Sequence, residues 1–258
     1  MDAETEVVIP KLVSTRKPIK PGWYLLAALF LYSIFSTVAL FNRSLFSQMF
    51  SKQGTTIGQG STPQAQANLA PDGLWFPIPG ARLPQDDRFL PTADRSYRKG
   101  INQGFVFNTD SAGIPINFGT PVIAAADATV QRADINFQEI SASASRVLLD
   151  KVAVSGADDN ELDQLRGRQI WLRLEDGRLL RYGHLSGIHK DIREGINVYR
   201  GQVIGYVGNS GTEDGVKGTT RGARLQFEVW QADNTFFGQN VETIDQVRSF
   251  AASLFVGP

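Results

Sequence analysis

Residues 169–186 read QIWLRLEDGRLLRYGHLS. Two alternating apolar runs, one around Trp171 and one at 179–182, flank a polar segment that contains the pair Asp176-Gly177. An Asp-Gly pair between two alternating runs is a strong signal for a β-hairpin. The stretch therefore predicts two antiparallel strands joined by a tight turn.

Similar short apolar runs occur on both sides of this hairpin, and Gly, Pro, Asn and Asp separate them. The runs are 120–123, 128–131, 147–154, 169–174, 179–182, 202–207 and 224–230. Regular short strands with polar turns predict a mainly β domain. We place this domain at residues 73–240.

Two segments depart from the strand pattern. An insertion at about 134–167 includes the acidic segment 157–166, which we interpret as a loop or a short helix. Near the carboxyl end, apolar residues recur at helical spacing at Ile244, Val247, Ala251 and Leu254. This spacing predicts a short amphipathic helix within residues 241–258 that packs against the sheet.

Residues 23–41 form an uncharged, apolar run near the amino end. At 1.5 Å rise per residue, about 19 helical residues span the hydrocarbon layer of roughly 30 Å. Lys and Arg are more frequent before this run than after it, so we expect residues 1–22 to be cytoplasmic. A cleaved signal peptide is the alternative, although its apolar core usually has about 7–15 residues. A buried core helix is disfavoured because the run is apolar on every face.

Residues 42–72 are rich in Ser, Gln, Thr, Gly and Ala. Such a composition buries too little apolar surface to offset the entropy of ordering, so it predicts a flexible linker. The expected organisation is a single-pass protein of the cell membrane whose β domain is held outside the cytoplasm.

Composition excludes several function classes. The 258 residues include 26 Lys plus Arg and 26 Asp plus Glu, so no net positive charge attracts nucleic acid. Cysteine is absent, which excludes disulfides, thiolate nucleophiles and Cys-ligated zinc. Only His184 and His189 are available as imidazole ligands.

Five segments, in order, resemble motifs of the LytM/lysostaphin-type zinc endopeptidases, which cut peptidoglycan cross-bridges and have the fold called the duplicated hybrid motif. The segments are 97–107, 119–130, 182–186, 201–212 and 222–229. The resemblance covers about residues 97–239 and implies an antiparallel β-sheet domain with a peptide-binding groove. It also implies a catalytic role for the family position occupied by His184, although His184 alone is not expected to suffice.

The resemblance also shows where the sequence departs from the family. The three zinc ligands of active members fall on Asn102, Val106 and Gln226, and a further family histidine falls on Arg224. Catalytic zinc prefers imidazole, thiolate or carboxylate donors. Val106 has no donor atom, and amide oxygens suit harder cations. The guanidinium of Arg224 is charged, so it cannot accept a proton from water and it disfavours a nearby cation.

Each altered position also has a structural interpretation. Asn102 and Gln226 are predicted to hydrogen-bond to each other where zinc joined their strands. Val106 fills the core or the floor of the former site, and His184 is either structural or functional. Arg224 either forms an ion pair with Asp127, Glu213 or Glu228, or binds carboxylates of wall peptides. Asn102, His184, Arg224 and Gln226 are therefore the candidate groove residues.

These observations predict a membrane-anchored, catalytically inactive protein that binds peptidoglycan peptide or an envelope protein. Its expected role is in wall remodelling, division or the assembly of an intercellular complex. No cofactor is expected, whereas active members of the family hold zinc. One alternative is an active metalloendopeptidase whose metal ligands come from His184, Glu213, Asp214 or Asp127. The other is a purely structural envelope scaffold.

Overall fold

The computed structural model describes residues 73–256. The predicted cytoplasmic segment, membrane helix and linker, residues 1–22, 23–41 and 42–72, lie outside this range and stay predictions. Within residues 73–256, no helix combines the length and the apolar character needed to cross a membrane.

The described part of the chain is mainly β, as the sequence predicts. Its strands are β1 (Asp94–Arg95), β2 (Gly100–Ile101), β3 (Phe105–Phe107), β4 (Pro121–Ile123), β5 (Ala128–Ala133), β6 (Ile170–Arg173), β7 (Leu179–Gly183), β8 (Leu185–Ile188), β9 (Asn197–Val198), β10 (Val203–Val207) and β11 (Leu225–Trp230). Short 3-10 turns lie at Asp87–Phe89 and Ser96–Arg98.

Two antiparallel sheets form the body of the domain. The larger has six strands in the order β3-β11-β7-β6-β5-β9, and the smaller has the order β4-β10-β8. Strands β1 and β2 form a separate two-stranded pair. The predicted hairpin is confirmed, since β6 pairs with β7 and Trp171 lies opposite Arg181.

Alternation along β11 separates the two faces of the larger sheet. Leu225, Phe227 and Val229 belong to the hydrophobic core, which also contains residues of the smaller sheet such as Ile204. Because successive strand residues point to opposite faces, Gln226 and Glu228 lie on the outer face. The candidate site is therefore on the side of the sheet away from this core.

The insertion between β5 and β6 is helical and contains α1 (Ala142–Ser155) and α2 (Asp159–Arg166). The strand predicted at 147–154 is wrong. Leu148 and Val152, one helical turn apart, are buried, whereas Val147 and Val154 are exposed, and this is a helical rather than an alternating pattern. Helix α2 agrees with the second interpretation of segment 157–166, and Asp158 forms a capping box at its start.

Two further helices follow the β10 strand, α3 (Glu213–Val216) and α4 (Ile244–Leu254). Helix α4 confirms the helix that the apolar spacing predicts, and Val247 and Ala251 are its buried residues. Thr243 caps its amino end through a capping box with Gln246. The helix leads to Phe255, whose ring stacks on Phe76 at a centroid distance of 4.5 Å.

Tyr182 connects the two layers of the core. Its side chain is fully buried, and its hydroxyl accepts a hydrogen bond of 3.0 Å from the backbone N–H of Ala125. We expect Tyr182→Phe to destabilise the fold by about 1–3 kcal/mol, because it leaves a buried N–H without a partner. Thermal unfolding measures this effect, and Tyr199→Phe at an exposed tyrosine is the matched control. Equal unfolding temperatures for the two variants would contradict the role given to the Tyr182 hydroxyl.

Candidate functional site

The outer face of the larger sheet brings the former ligand positions together. Gln226 on β11 lies opposite Val106 on β3 and opposite Gly183 on β7. Val106 is only 6% exposed. Two family ligand positions, Val106 and Gln226, therefore lie side by side. Gly183, the residue before His184, lies next to Gln226 on the other side.

Asn102 completes this group through its side chain. It is 2% exposed, and its amide N–H groups donate to the carbonyl oxygens of Leu90 and Gly104 at 2.8 and 2.5 Å. Its amide oxygen accepts from Nε2 of Gln226 at 3.0 Å. The predicted hydrogen bond between Asn102 and Gln226 is confirmed, and it joins the two segments that zinc joins in active relatives.

His184 stands where the chain passes from β7 of the larger sheet to β8 of the smaller one. It has a left-handed φ of 60°, which histidine tolerates better than most residues. Nδ1 lies 2.8 Å from the carbonyl oxygen of Ser210, so Nδ1 carries the proton and Nε2 keeps a lone pair. Burial, together with the positive charge of Arg224, lowers the pKa of His184 to about 3. The imidazole is therefore neutral at physiological pH.

Arg224 does not form the ion pair that we predicted. Glu228 pairs with Arg166, Glu213 pairs with Lys217, and Asp127 accepts from a backbone N–H. Within residues 73–256, no carboxylate lies within ion-pair distance of the Arg224 guanidinium. Burial lowers the pKa of Arg224, and Tyr97 and, more weakly, Asp214 oppose this change through longer-range electrostatic interactions.

Sequence reasoning missed Arg166, which enters the site from the end of α2. Its Nε donates to Oε1 of Glu228 at 2.8 Å, and a terminal nitrogen donates to Gln103. Its carbonyl oxygen accepts from the backbone N–H of His184 at 2.7 Å. Glu228 is 2% exposed. Although burial favours its neutral form, the charge and hydrogen bond of Arg166 hold the pKa of Glu228 below its ordinary value.

Helix α2 of the insertion covers one side of the former ligand positions, next to Asn102 and Gln226. Leu162, Leu165 and Arg166 of α2 line a cavity of about 50 Å³ with Asn102 and Gln226. A volume of this size holds one or two water molecules. This cavity therefore has no room for a substrate-sized ligand.

A second, larger cavity opens beside the first, with a volume of about 340 Å³. Its lining includes Arg88, Arg95 and Arg224 together with Tyr97, His184 and two former ligand positions, Val106 and Gln226. No carboxylate of residues 73–256 lines it. Burial, and more weakly the neighbouring charges of Arg98 and Arg224, lower the pKa of Arg95. This cavity, which we call the arginine pocket, is a cationic site beside the former metal position.

The residues present do not fit a catalytic zinc ion. Val106 offers no donor, and the amide oxygen of Asn102 is engaged by Gln226. Arg166 and Arg224 bring positive charge close to His184. Among residues 73–256, no three His, Asp or Glu side chains converge as a metal site, so the alternative set of His184, Glu213, Asp214 and Asp127 does not assemble.

The state of His184 makes stability depend on pH. Since its folded pKa of about 3 lies below the ordinary 6.5, the unfolded chain binds the extra proton between these values. The contribution of neutral His184 to the free energy of unfolding is complete above pH 6.5. As the pH falls from 6.5 towards 3, this contribution decreases by about 1.4 kcal/mol per pH unit. We expect the loss between pH 7 and pH 5 to be about 2 kcal/mol smaller in His184→Asn, since Asn tolerates the left-handed backbone and does not titrate. Urea unfolding at both pH values checks this, and equal losses in the two proteins would contradict it.

Several solved structures resemble the described domain. A zinc-containing peptidase from Vibrio cholerae is 18% identical, with 66% of this chain and 41% of that chain covered and a TM-score of 0.41. The catalytic domain of lysostaphin from Staphylococcus simulans is 20% identical, covering 62% and 88%, with a TM-score of 0.36. A chain of the SpoIIQ–SpoIIIAH pore-forming complex is 15% identical, covering 65% and 88%, with a TM-score of 0.40. This chain thus spans about two fifths of the V. cholerae peptidase.

No curated protein matches the chain. The family model of peptidase family M23 matches residues 109–238, which is half of the chain and includes His184, Arg224 and Gln226. The match begins after Asn102 and Val106. The chain belongs to peptidase family M23, the family of the LytM-type peptidases.

Proposed function

We propose that this chain is a catalytically inactive member of its family that binds carboxylate-bearing peptides of peptidoglycan. The observation that carries the proposal is the pairing of an altered ligand set with a cationic pocket beside it. Val106 and Gln226 belong to both features, since they occupy ligand positions and line the arginine pocket, in which Arg224 replaces a further family histidine.

Inactivity is supported by the chemistry of the donor atoms. Zinc-dependent hydrolysis needs three ligands and a metal-bound water whose pKa is lowered towards 7. Asn102 and Gln226 hydrogen-bond to each other, and Val106 is an aliphatic residue in the position of an aspartate. His184 keeps a free lone pair but has no metal ligand set beside it in the described range.

Binding is supported by the electrostatics of the arginine pocket. Arg95 donates to the carbonyl oxygens of Arg88 and Asp94 and has no close carboxylate partner within residues 73–256. The Arg224 guanidinium also lacks one, and burial makes its charge costly. A peptide carboxylate relieves this cost by accepting charge-assisted hydrogen bonds from both groups.

We further propose that the domain is displayed outside the cytoplasm by a membrane helix at residues 23–41 and a linker at residues 42–72. The uncharged run, the preceding positive charges and the polar linker composition support this arrangement. Peptidoglycan peptides are the carboxylate-rich ligands accessible from that position.

The proposal predicts that the purified chain does not cleave peptidoglycan, with or without added zinc. We expect no new muropeptides by liquid chromatography and substoichiometric zinc by elemental analysis, because the donor set does not fit the ion. Catalytically competent lysostaphin, tested on a wall that it cleaves, is the positive control. Zinc-dependent release of fragments, lost in His184→Ala, would contradict the proposal and support the active alternative.

Charge reversal in the arginine pocket tests the binding mode. We expect Arg224→Glu to weaken binding to purified peptidoglycan at least tenfold, because a charge-assisted hydrogen bond contributes about 1.5–3 kcal/mol. Arg221→Glu is the matched control, since Arg221 is nearby but exposed and lies outside the pocket. Co-sedimentation measures both affinities. Equal binding by wild type and Arg224→Glu would exclude the pocket and favour a purely structural scaffold.

A further inference from the structure

A row of four side chains crosses the outer face of the larger sheet, away from the arginine pocket. Arg132 on β5 lies opposite Trp171 on β6, and Trp171 lies opposite Arg181 on β7. Arg181 in turn lies opposite Glu228 on β11. Residues directly opposite one another share a face of the sheet, so four strands contribute to one continuous row.

The row continues into a stack of alternating cations and indole rings. The Arg181 guanidinium lies 4.1 Å from the Trp171 ring centroid and 4.2 Å from the Trp230 centroid. Arg132 lies 4.9 Å from the Trp171 centroid. Arginine between two aromatic rings is held in a fixed orientation while its N–H edges stay available.

The other two arginines beside the stack have close carboxylate partners. Arg132 pairs with Asp134 and Asp163 at 2.7 and 2.6 Å, and Arg166 pairs with Glu228 at 2.8 Å. Arg181 differs from them. Its ion pair with Glu228 is long, with the nearest carboxylate oxygen 3.9 Å away.

No hydrogen bond joins the Arg181 guanidinium to another residue within 73–256, and its buried Nε–H has no acceptor there. The carboxylate oxygens of Glu228 are already engaged by Arg166 and by the indole N–H of Trp230. Burial lowers the pKa of Arg181 to about 10, and Glu228 opposes this only in part. A partly buried guanidinium with unused donors favours an additional anionic acceptor.

The stack borders a cavity of about 650 Å³ between the sheet and helix α2. Trp171, Arg181 and Trp230 line it, together with Asn160, Asn234 and two further arginines, Arg132 and Arg166. Two carboxylates, Asp159 and Asp163, also line it, and Asp163 is already paired with Arg132. This volume is within the usual range of small-ligand sites, about 300–1,000 Å³. Indole walls with a few polar groups suit a short peptide, whose amides need hydrogen-bond partners.

We propose that this cavity binds the free carboxylate of a short peptide, with Arg181 as the recognition residue. The guanidinium offers its fork of N–H donors to a carboxylate, and the two indoles hold the fork in place. The site shares no lining residue with the arginine pocket. A neutral sugar fits less well, because Trp171 already has a guanidinium against its ring from Arg132 and from Arg181.

The test titrates the full chain, in detergent, with N-acetyl-dialanine that has a free carboxylate, and in parallel with its C-terminal amide. The indole N–H resonances of Trp171 and Trp230 report on the cavity, and Trp75, which does not line it, is the internal reference. We expect the acid to shift the two cavity resonances and the amide to bind at least tenfold more weakly. Equal binding of acid and amide, or no shift at millimolar acid, would overturn the proposal and leave the stack with a structural role only.

Substitutions distinguish the contribution of Arg181 to binding from that of the neighbouring residues. We expect Arg181→Gln to weaken binding of the acid at least tenfold. Arg178→Gln is expected to leave it unchanged, since Arg178 is on the same hairpin, pairs with Asp176 and does not line the cavity. Arg181→Lys retains the charge and tests whether the planar fork is needed, with an intermediate loss expected. Unchanged affinity in both Arg181 variants would contradict the assignment.

The arginine pocket can bind the same acid but shares no lining residue with this cavity, so Arg224→Glu is expected to leave the shifts of the Trp171 and Trp230 resonances unchanged. Loss of the cavity shifts in Arg224→Glu would show that the peptide occupies the arginine pocket instead. The acid–amide comparison needs no substitution, and it therefore decides the proposal even if an Arg181 variant fails to fold.

Discussion

A buried carboxylate on β11 constrains the whole outer face of the larger sheet. Glu228 is 2% exposed, and a charge in such a position is unfavourable unless it is paired and hydrogen-bonded. The partner is Arg166 at the end of α2, so pairing Glu228 also fixes the insertion against the sheet. Because the carbonyl of Arg166 accepts from the backbone of His184, the same contact positions the turn between the two sheets. The insertion, the former metal position and the Arg–Trp stack thus depend on one ion pair.

Hydrogen bonds and ion pairs among side chains now join the segments that a metal holds in active relatives. A zinc ion joins ligands from separate segments through its own charge, which stabilises deprotonated or neutral donors. Here the amides of Asn102 and Gln226 join two of those segments without a cation, and guanidinium groups occupy the surrounding space. The cationic surroundings disfavour a second positive charge, whereas they favour anions. The change of residues therefore disfavours a metal ion at this position and supports the proposal of a carboxylate ligand.

Local patterns predicted much of the fold and part of the site. Alternation and turn residues identified the β6–β7 hairpin, and helical spacing identified α4, because these signals lie within a few neighbouring residues. The β-branched residues at 147–154 suggested a strand, although this segment lies in a helix that Ser141 caps at its amino end and Gly156 at its carboxyl end. Motif positions located Asn102 and Gln226. Arg166 and Arg181 escaped notice because their partners come from strands and helices distant in sequence, and no local pattern reports that proximity.

The turn at His184 explains how a motif can outlast its chemistry. A left-handed backbone at the passage between two sheets accepts few side chains, and histidine is among them. Its Nδ1–H also satisfies the carbonyl of Ser210. Both requirements concern folding alone and hold whether or not a substrate is ever hydrolysed. An intact Tyr-Gly-His-Leu signature is consequently poor grounds for assigning peptidase activity, and the identities at the cation-binding positions are the better diagnostic in chains of this kind.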